Sequence, residues 1–157
     1  MAPGPLLVLI VDDDLGACEV LCQLMTDEGY RVECYTTADG TLARLQAGDV
    51  GLVLLDWLLP YITGAVVLAV AASLEPAPAV VVITAWAPLL AAAPLPGAAA
   101  IVAKPFDLPA LLALIRRLCP LSPAVGATAR GRGHPHGGRS GIAAGAAARR
   151  RAGGHRD

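Results

Sequence analysis

The residues of this sequence that could do chemistry stand at the ends of short apolar runs. Asp12, Asp13 and Asp14 follow the run from Leu6 to Val11, and Asp56 follows Leu52 to Leu55. Thr84 follows Val80 to Ile83, and Lys104 with Pro105 comes just after Ala100 to Val102. Taken singly, an Asp after a strand is more often a turn residue or a helix N-cap than a reactive group. Gathered at one place, these carboxylates would repel one another, and a hard divalent cation such as Mg²⁺ would relieve that repulsion. One carboxylate then becomes a viable nucleophile toward phosphorus. Lys104 can neutralise phosphoryl oxygens, and Thr84 can donate a hydrogen bond to one of them.

Whether they gather depends on the elements between them. From Leu6 to Cys119 short apolar runs alternate with longer amphipathic segments, the pattern of repeated βα units. Strands are expected at Leu6 to Val11, Arg31 to Tyr35, Leu52 to Leu55, Val80 to Ile83 and Ala100 to Val102. Several lack polar alternation, as strands do when helices cover both faces of a parallel sheet. Leu15, Cys18, Leu21, Cys22 and Met25 keep helical spacing, which predicts a helix over Leu15 to Asp27 stopped by Gly29. Thr37 or Asp39 can cap a second helix ending before Gly48, and Thr63 to Ser73 forms a third. Leu108 to Leu118 forms the last, with Arg116 and Arg117 near its C-terminus, where cations suit the helix dipole. In the fourth crossover, Ala87 to Ala99, Pro94 and Pro96 require a short or irregular helix. Five strands and five helices in alternation predict an α/β fold, a doubly wound parallel sheet whose site lies beyond the carboxyl ends of its strands.

Charge divides the chain. Residues 1–120 hold five Lys or Arg against twelve Asp or Glu, a net of −7, whereas residues 121–157 hold seven Arg against one Asp, a net of +6. The second segment is rich in Gly, Ala and Arg and offers too little apolar surface to offset chain entropy, so a disordered basic tail is expected there. It carries no aromatic residue to stack on bases, so no specific nucleic-acid partner is expected. The run Leu6 to Val11 is too short to span a bilayer and ends in three aspartates, which predicts a cytoplasmic protein without a membrane partner. The four cysteines lack disulfide-framework spacing; Cys18 and Cys22 share a helix face, but small buried side chains are the simpler reading.

The segments Leu9 to Asp14, Leu54 to Pro60, Val82 to Ala85 and Ala103 to Phe106, in this order and at these intervals, resemble the four signature segments of response-regulator receiver domains. The likeness spans residues 6–119, within a domain of residues 1–120. It implies a flavodoxin-like five-stranded sheet of order 2-1-3-4-5. It also implies that Asp56 is the phosphoacceptor, and that Asp12, Asp13, Asp56 and the Leu58 main-chain carbonyl hold Mg²⁺. Thr84 and Lys104 would then contact the phosphoryl group. Asp14 falls at a variable position where a helix cap is the better assignment. Gly64 matches the loop glycine after the phosphoacceptor, and Pro105 a position usually held cis.

On this resemblance the chain would be a stand-alone receiver rather than an enzyme, phosphorylated by a sensor histidine kinase or phosphotransfer protein and signalling to a protein target. Ile101 departs from the family, which commonly places an aromatic there, so transmission by the usual aromatic route is not expected. Two other readings fit the residues less well. A haloacid-dehalogenase-type phosphatase would use Asp12 and Asp14, but would leave Asp56 idle and supply only Asp107 after Lys104. A receiver-like scaffold without phosphorylation would not require the full set of pocket residues.

Overall fold

The computed structural model describes residues 6–60, 63–91 and 94–121. The chain divides into two units, Met1–Ala124 and Val125–Asp157, and every described residue lies in the first. Apart from Leu121, the tail expected at 121–157 is outside the described residues.

Among the described residues five strands, β1 (Leu7–Val11), β2 (Arg31–Tyr35), β3 (Val50–Asp56), β4 (Ala79–Thr84) and β5 (Ala100–Ala103), alternate with five helices, α1 (Leu15–Asp27), α2 (Ala38–Gln46), α3 (Gly64–Ser73), α4 (Ala87–Ala91) and α5 (Leu108–Leu118). All strand pairings are parallel, in the order β2-β1-β3-β4-β5. The order reverses between β1 and β3, which opens a crevice at their carboxyl ends.

Two-residue alternation along the central strands sends side chains to two separate cores. Leu7, Leu9, Val11, Val53, Leu55, Val80 and Val82 pack toward α2, α3 and Leu89 of α4. Val8, Ile10, Leu52, Leu54, Val81 and Ile83 pack toward α1 and α5. Leu111, Leu112 and Ile115 anchor α5 there, and each buried side chain of this size stabilises by roughly 1.5–3 kcal/mol.

Local signals set the helix ends. Asp14 caps α1 by accepting the Ala17 N–H, Thr37 caps α2 by accepting the Gly40 N–H, and Asp107 caps α5 by accepting the Ala110 N–H. Of the two candidate caps for α2, Thr37 takes the position and Asp39 lies in the first turn, where its charge suits the dipole. Helix α3 starts at Gly64 with Thr63 as its N-cap residue, and α4 has only five residues, ahead of the prolines. Strand β3 begins two residues earlier than its apolar run predicts. The β1–β3 register slips between Leu7 and Val8, skipping Gly51. A Cβ at Gly51 would lie 2.6 Å from the Cβ of Leu6 and 3.2 Å from Cys119 Sγ, so the close packing there admits a glycine. No helix among the described residues is long and apolar enough to cross a membrane.

Candidate functional site

At the carboxyl edge, Asp12 directly follows β1, Asp56 and Thr84 end β3 and β4, and Lys104 directly follows β5. Parallel register carries them to one level: Asp56 pairs with Ile83, and Thr84 pairs with Ala103. The Lys104 N–H donates to the Thr84 carbonyl at 2.9 Å, and the Trp57 N–H donates to the Ile83 carbonyl at 3.1 Å. The ends of β3, β4 and β5 are thereby tied by main-chain bonds before any side chain contributes.

Lys104 Nζ donates to Asp12 Oδ2 at 3.2 Å and to Asp56 Oδ2 at 3.3 Å. The remaining oxygens are oriented by backbone donors: Asp12 Oδ1 accepts the Asp14 N–H at 2.9 Å, and Asp56 Oδ1 accepts the Leu58 N–H at 3.2 Å. Asp12 is 5% exposed, while the adjacent Asp13 is open to solvent. One oxygen from each of Asp12, Asp13 and Asp56 falls within a group whose members all lie within 4.8 Å of one another. Three carboxylates against one ammonium leave an excess of negative charge. Hard oxygen donors converging in this way suit Mg²⁺, so the residues present fit the ion implied by the sequence.

Burial, reinforced by the charge of Asp12, raises the Asp56 carboxyl above its ordinary value despite the opposing pull of Lys104. For Lys104, burial works against the ammonium, but the Asp56 and Asp12 carboxylates outweigh it and hold the group above its ordinary value. The Asp56 shift thus follows chiefly from burial, and the Lys104 shift from the two carboxylates that face its ammonium.

Thr84 lies at this edge and is 1% exposed, with its hydroxyl oxygen accepting the Trp86 N–H at 3.0 Å. Asp14 is turned to its capping bond with Ala17. The peptide between Lys104 and Pro105 is cis, and the Gly64 N–H donates to the Trp57 carbonyl at 3.1 Å, closing the loop after Asp56. Ile101 is half-buried against the core on the α3 side. The side chain of Leu58 is exposed.

A cavity of about 350 Å³ flanks Asp12 and Lys104, and was not anticipated. Ala17, Val20 and Leu21 of α1 form one wall, and Phe106 and Leu108 the other. Val20 is 60% exposed and Leu108 38%. Val20 falls outside the apolar stripe of α1, and that is the one signal in the sequence that could have drawn attention to this face.

Residues 8–116 match the family model of the response regulator receiver domain. Among solved structures, a CheY-like response regulator receiver domain protein from Methanospirillum hungatei is 32% identical, with 73% of this chain and 93% of that one covered and a TM-score of 0.65. NtrX from Brucella abortus, crystallised in complex with ATP, is 26% identical over 72% of this chain and 26% of its own, with a TM-score of 0.65. Response regulator TrrA from Thermotoga maritima, crystallised in complex with Mg²⁺-BeF, shares the fold at 24% identity, 72% and 98% coverage and a TM-score of 0.66. No curated protein matches significantly.

Proposed function

The chain belongs to the response regulator receiver family, and on that footing we propose that it accepts a phosphoryl group on Asp56 from a sensor histidine kinase or a phosphotransfer protein, in a Mg²⁺-dependent reaction, and signals by the conformational change that follows. The observation that carries this reading is the Lys104 ammonium shared between Asp12 and Asp56 at an edge where three carboxylates converge.

Asp56 Oδ attacks phosphorus as the P–N bond of the donor phosphohistidine breaks, and the imidazole leaves with the electron pair. Asp12, Asp13, Asp56 and the Leu58 main-chain carbonyl would hold Mg²⁺, which supplies positive charge for the phosphoryl oxygens. Lys104 exchanges its bond to Asp56 for one to a phosphoryl oxygen, keeping its hold on Asp12 and thus the spacing of the two strand ends. Thr84 gives up the Trp86 N–H and donates its hydroxyl proton to another phosphoryl oxygen. That exchange moves the start of the segment leading into α4, and so relays the event without an aromatic at Ile101. The reading includes a cytoplasmic location and a protein as the downstream target.

Asp14 does not favour the phosphatase alternative, because its carboxylate caps α1. The test is intact-mass analysis after incubation with Mg²⁺ and acetyl phosphate. A labile single-phosphate adduct in the wild type and none in Asp56→Asn supports the reading. An adduct that persists in the variant, or none in either protein while a control receiver reacts, sinks it.

A further inference from the structure

Away from the acidic edge, three of the four cysteines line one groove. Cys18 and Cys22 lie one helical turn apart on α1, and Cys34 reaches the same place from β2, whose Val32 and Cys34 face the core shared with α1. The Cys34 thiol donates to the Cys18 carbonyl at 3.2 Å, and the Cys18 thiol donates to the Asp12 carbonyl at 3.2 Å. Burial, and then the neighbouring Cys18 and Cys22 thiols, drive the Cys34 thiol far above its ordinary value. All three line one groove of about 300 Å³, with Glu19 on its wall. The groove gives an ion a way in, and Cys22 and Cys34 are only half-buried.

We propose that Cys18, Cys22 and Cys34 form a binding site for a thiophilic d¹⁰ metal ion, Cu(I) or Zn²⁺. Soft thiolates select these ions over the Mg²⁺ that suits the carboxylate edge. As each sulfur–metal bond forms, its thiol releases a proton to solvent, so binding exchanges protons for the cation and needs no oxidant or reductant. In the metal-free protein, main-chain carbonyls hold the Cys18 and Cys34 thiols, and the sulfurs are spread more widely than the three carboxylates. Binding therefore breaks those two hydrogen bonds and turns the thiols inward. With three sulfurs available, Cu(I) can be satisfied by thiolates alone, whereas Zn²⁺ would complete its tetrahedron with Glu19 or a water. Because the Cys18 thiol leaves the Asp12 carbonyl, the site touches the backbone of the acidic edge without sharing a ligand side chain with it.

The full chain, reduced and metal-free, is titrated anaerobically with Cu(I) against a competing chromogenic chelator, and separately with Zn²⁺ in excess Mg²⁺. The expected result is one equivalent of one or both ions. Affinity should fall about tenfold or more in Cys34→Ser and in Cys22→Ser, and hold in Cys119→Ser, whose sulfur is outside the groove, and in Asp56→Asn. Cys22 sits at the half-buried rim, so its variant should fold, which urea unfolding of the metal-free protein verifies. Failure of both ions to bind, or binding unchanged in the Cys22 and Cys34 variants, overturns the proposal. Because retention in Asp56→Asn is measured alongside, the outcome is separate from that of the phosphoacceptor reading.

Discussion

Lys104 Nζ lies 3.2 Å from a carboxylate oxygen of Asp12 and 3.3 Å from one of Asp56, so a single ammonium joins side chains that enter the site from β1 and β3. Its own main chain is fastened to the end of β4 through Thr84. One residue thus holds three strand ends in register at the place where charge is most crowded.

Replacing it should therefore cost chemistry more than folding. In Lys104→Met the Asp56 carboxyl loses its main opposing cation, and its pKa, already raised by burial and Asp12, should rise further. Carboxyl NMR titration of the metal-free protein reads that shift. The rate of acetyl-phosphate labelling should fall on the order of 100-fold, the usual consequence of removing one preorganised charge from developing phosphoryl oxygens. An Asp56 titration identical in wild type and variant would show that the bridge has no electrostatic role.

Mg²⁺ should stabilise the domain by linkage. An ion bound only by the folded state adds about 2.7 kcal/mol at a hundredfold excess over its dissociation constant. Asp13 is exposed and, among the described residues, its side chain makes no hydrogen bond or ion pair, so Asp13→Asn should unfold in EDTA at the wild-type urea concentration yet gain much less from added Mg²⁺. Equal stabilisation of both proteins would remove Asp13 from the ligand set.

Gly64 is required by space. A Cβ there would meet the Trp57 carbonyl oxygen at 2.9 Å and the Trp57 Cα at 3.0 Å, both backbone atoms that cannot swing aside. Gly64→Ala should destabilise by about 1–3 kcal/mol in urea unfolding, the usual cost of overpacking. It should also slow phosphorylation, because Trp57 adjoins Asp56. At Gly48 nothing lies within 4 Å, but φ is +83°, so Gly48→Ala should cost about 1 kcal/mol through backbone strain and leave phosphorylation unchanged.

These contrasts mark what the sequence could reveal. Strands β1 and β4 were legible because unbroken Val, Leu and Ile runs have few alternatives, and α1 because Cys18, Leu21 and Met25 recur on one face. The acidic edge followed from topology: once the strands are parallel, whatever residue ends each one must converge. What stayed hidden depends on contacts between distant segments. Nothing marks Gly51 as a packing position until Leu6 and Cys119 are known to press on it. Cys34 looks isolated until β2 packs beneath α1, and nothing in the order of residues announces that Arg44 will serve both Glu33 and Asp49.

That last arrangement predicts the acid limb of stability. Arg44 on α2 binds Glu33 of β2 at 2.7 Å and Asp49 at 2.9 Å, and Arg31 binds Asp49 at 2.9 Å. The hydrogen bond from Arg44 is the leading reason that Glu33 is held below its ordinary 4.5 and Asp49 below its ordinary 3.8. When a carboxyl's folded pKa is depressed, the unfolded chain binds more protons between the two values, so stability rises with pH across that window. The contribution is complete above the unfolded values and disappears as pH falls through the folded ones. Arg44→Gln should therefore be less stable than wild type near neutrality and converge with it as pH drops below about 4. Both carboxylates are more than a third exposed, so solvent screening should keep the difference small and added salt should shrink it. Urea midpoints for the two proteins from pH 3 to 7, at low and high salt, supply the check. A gap that persisted unchanged at acid pH would mean that Arg44 stabilises through packing of its stem instead of through its charge.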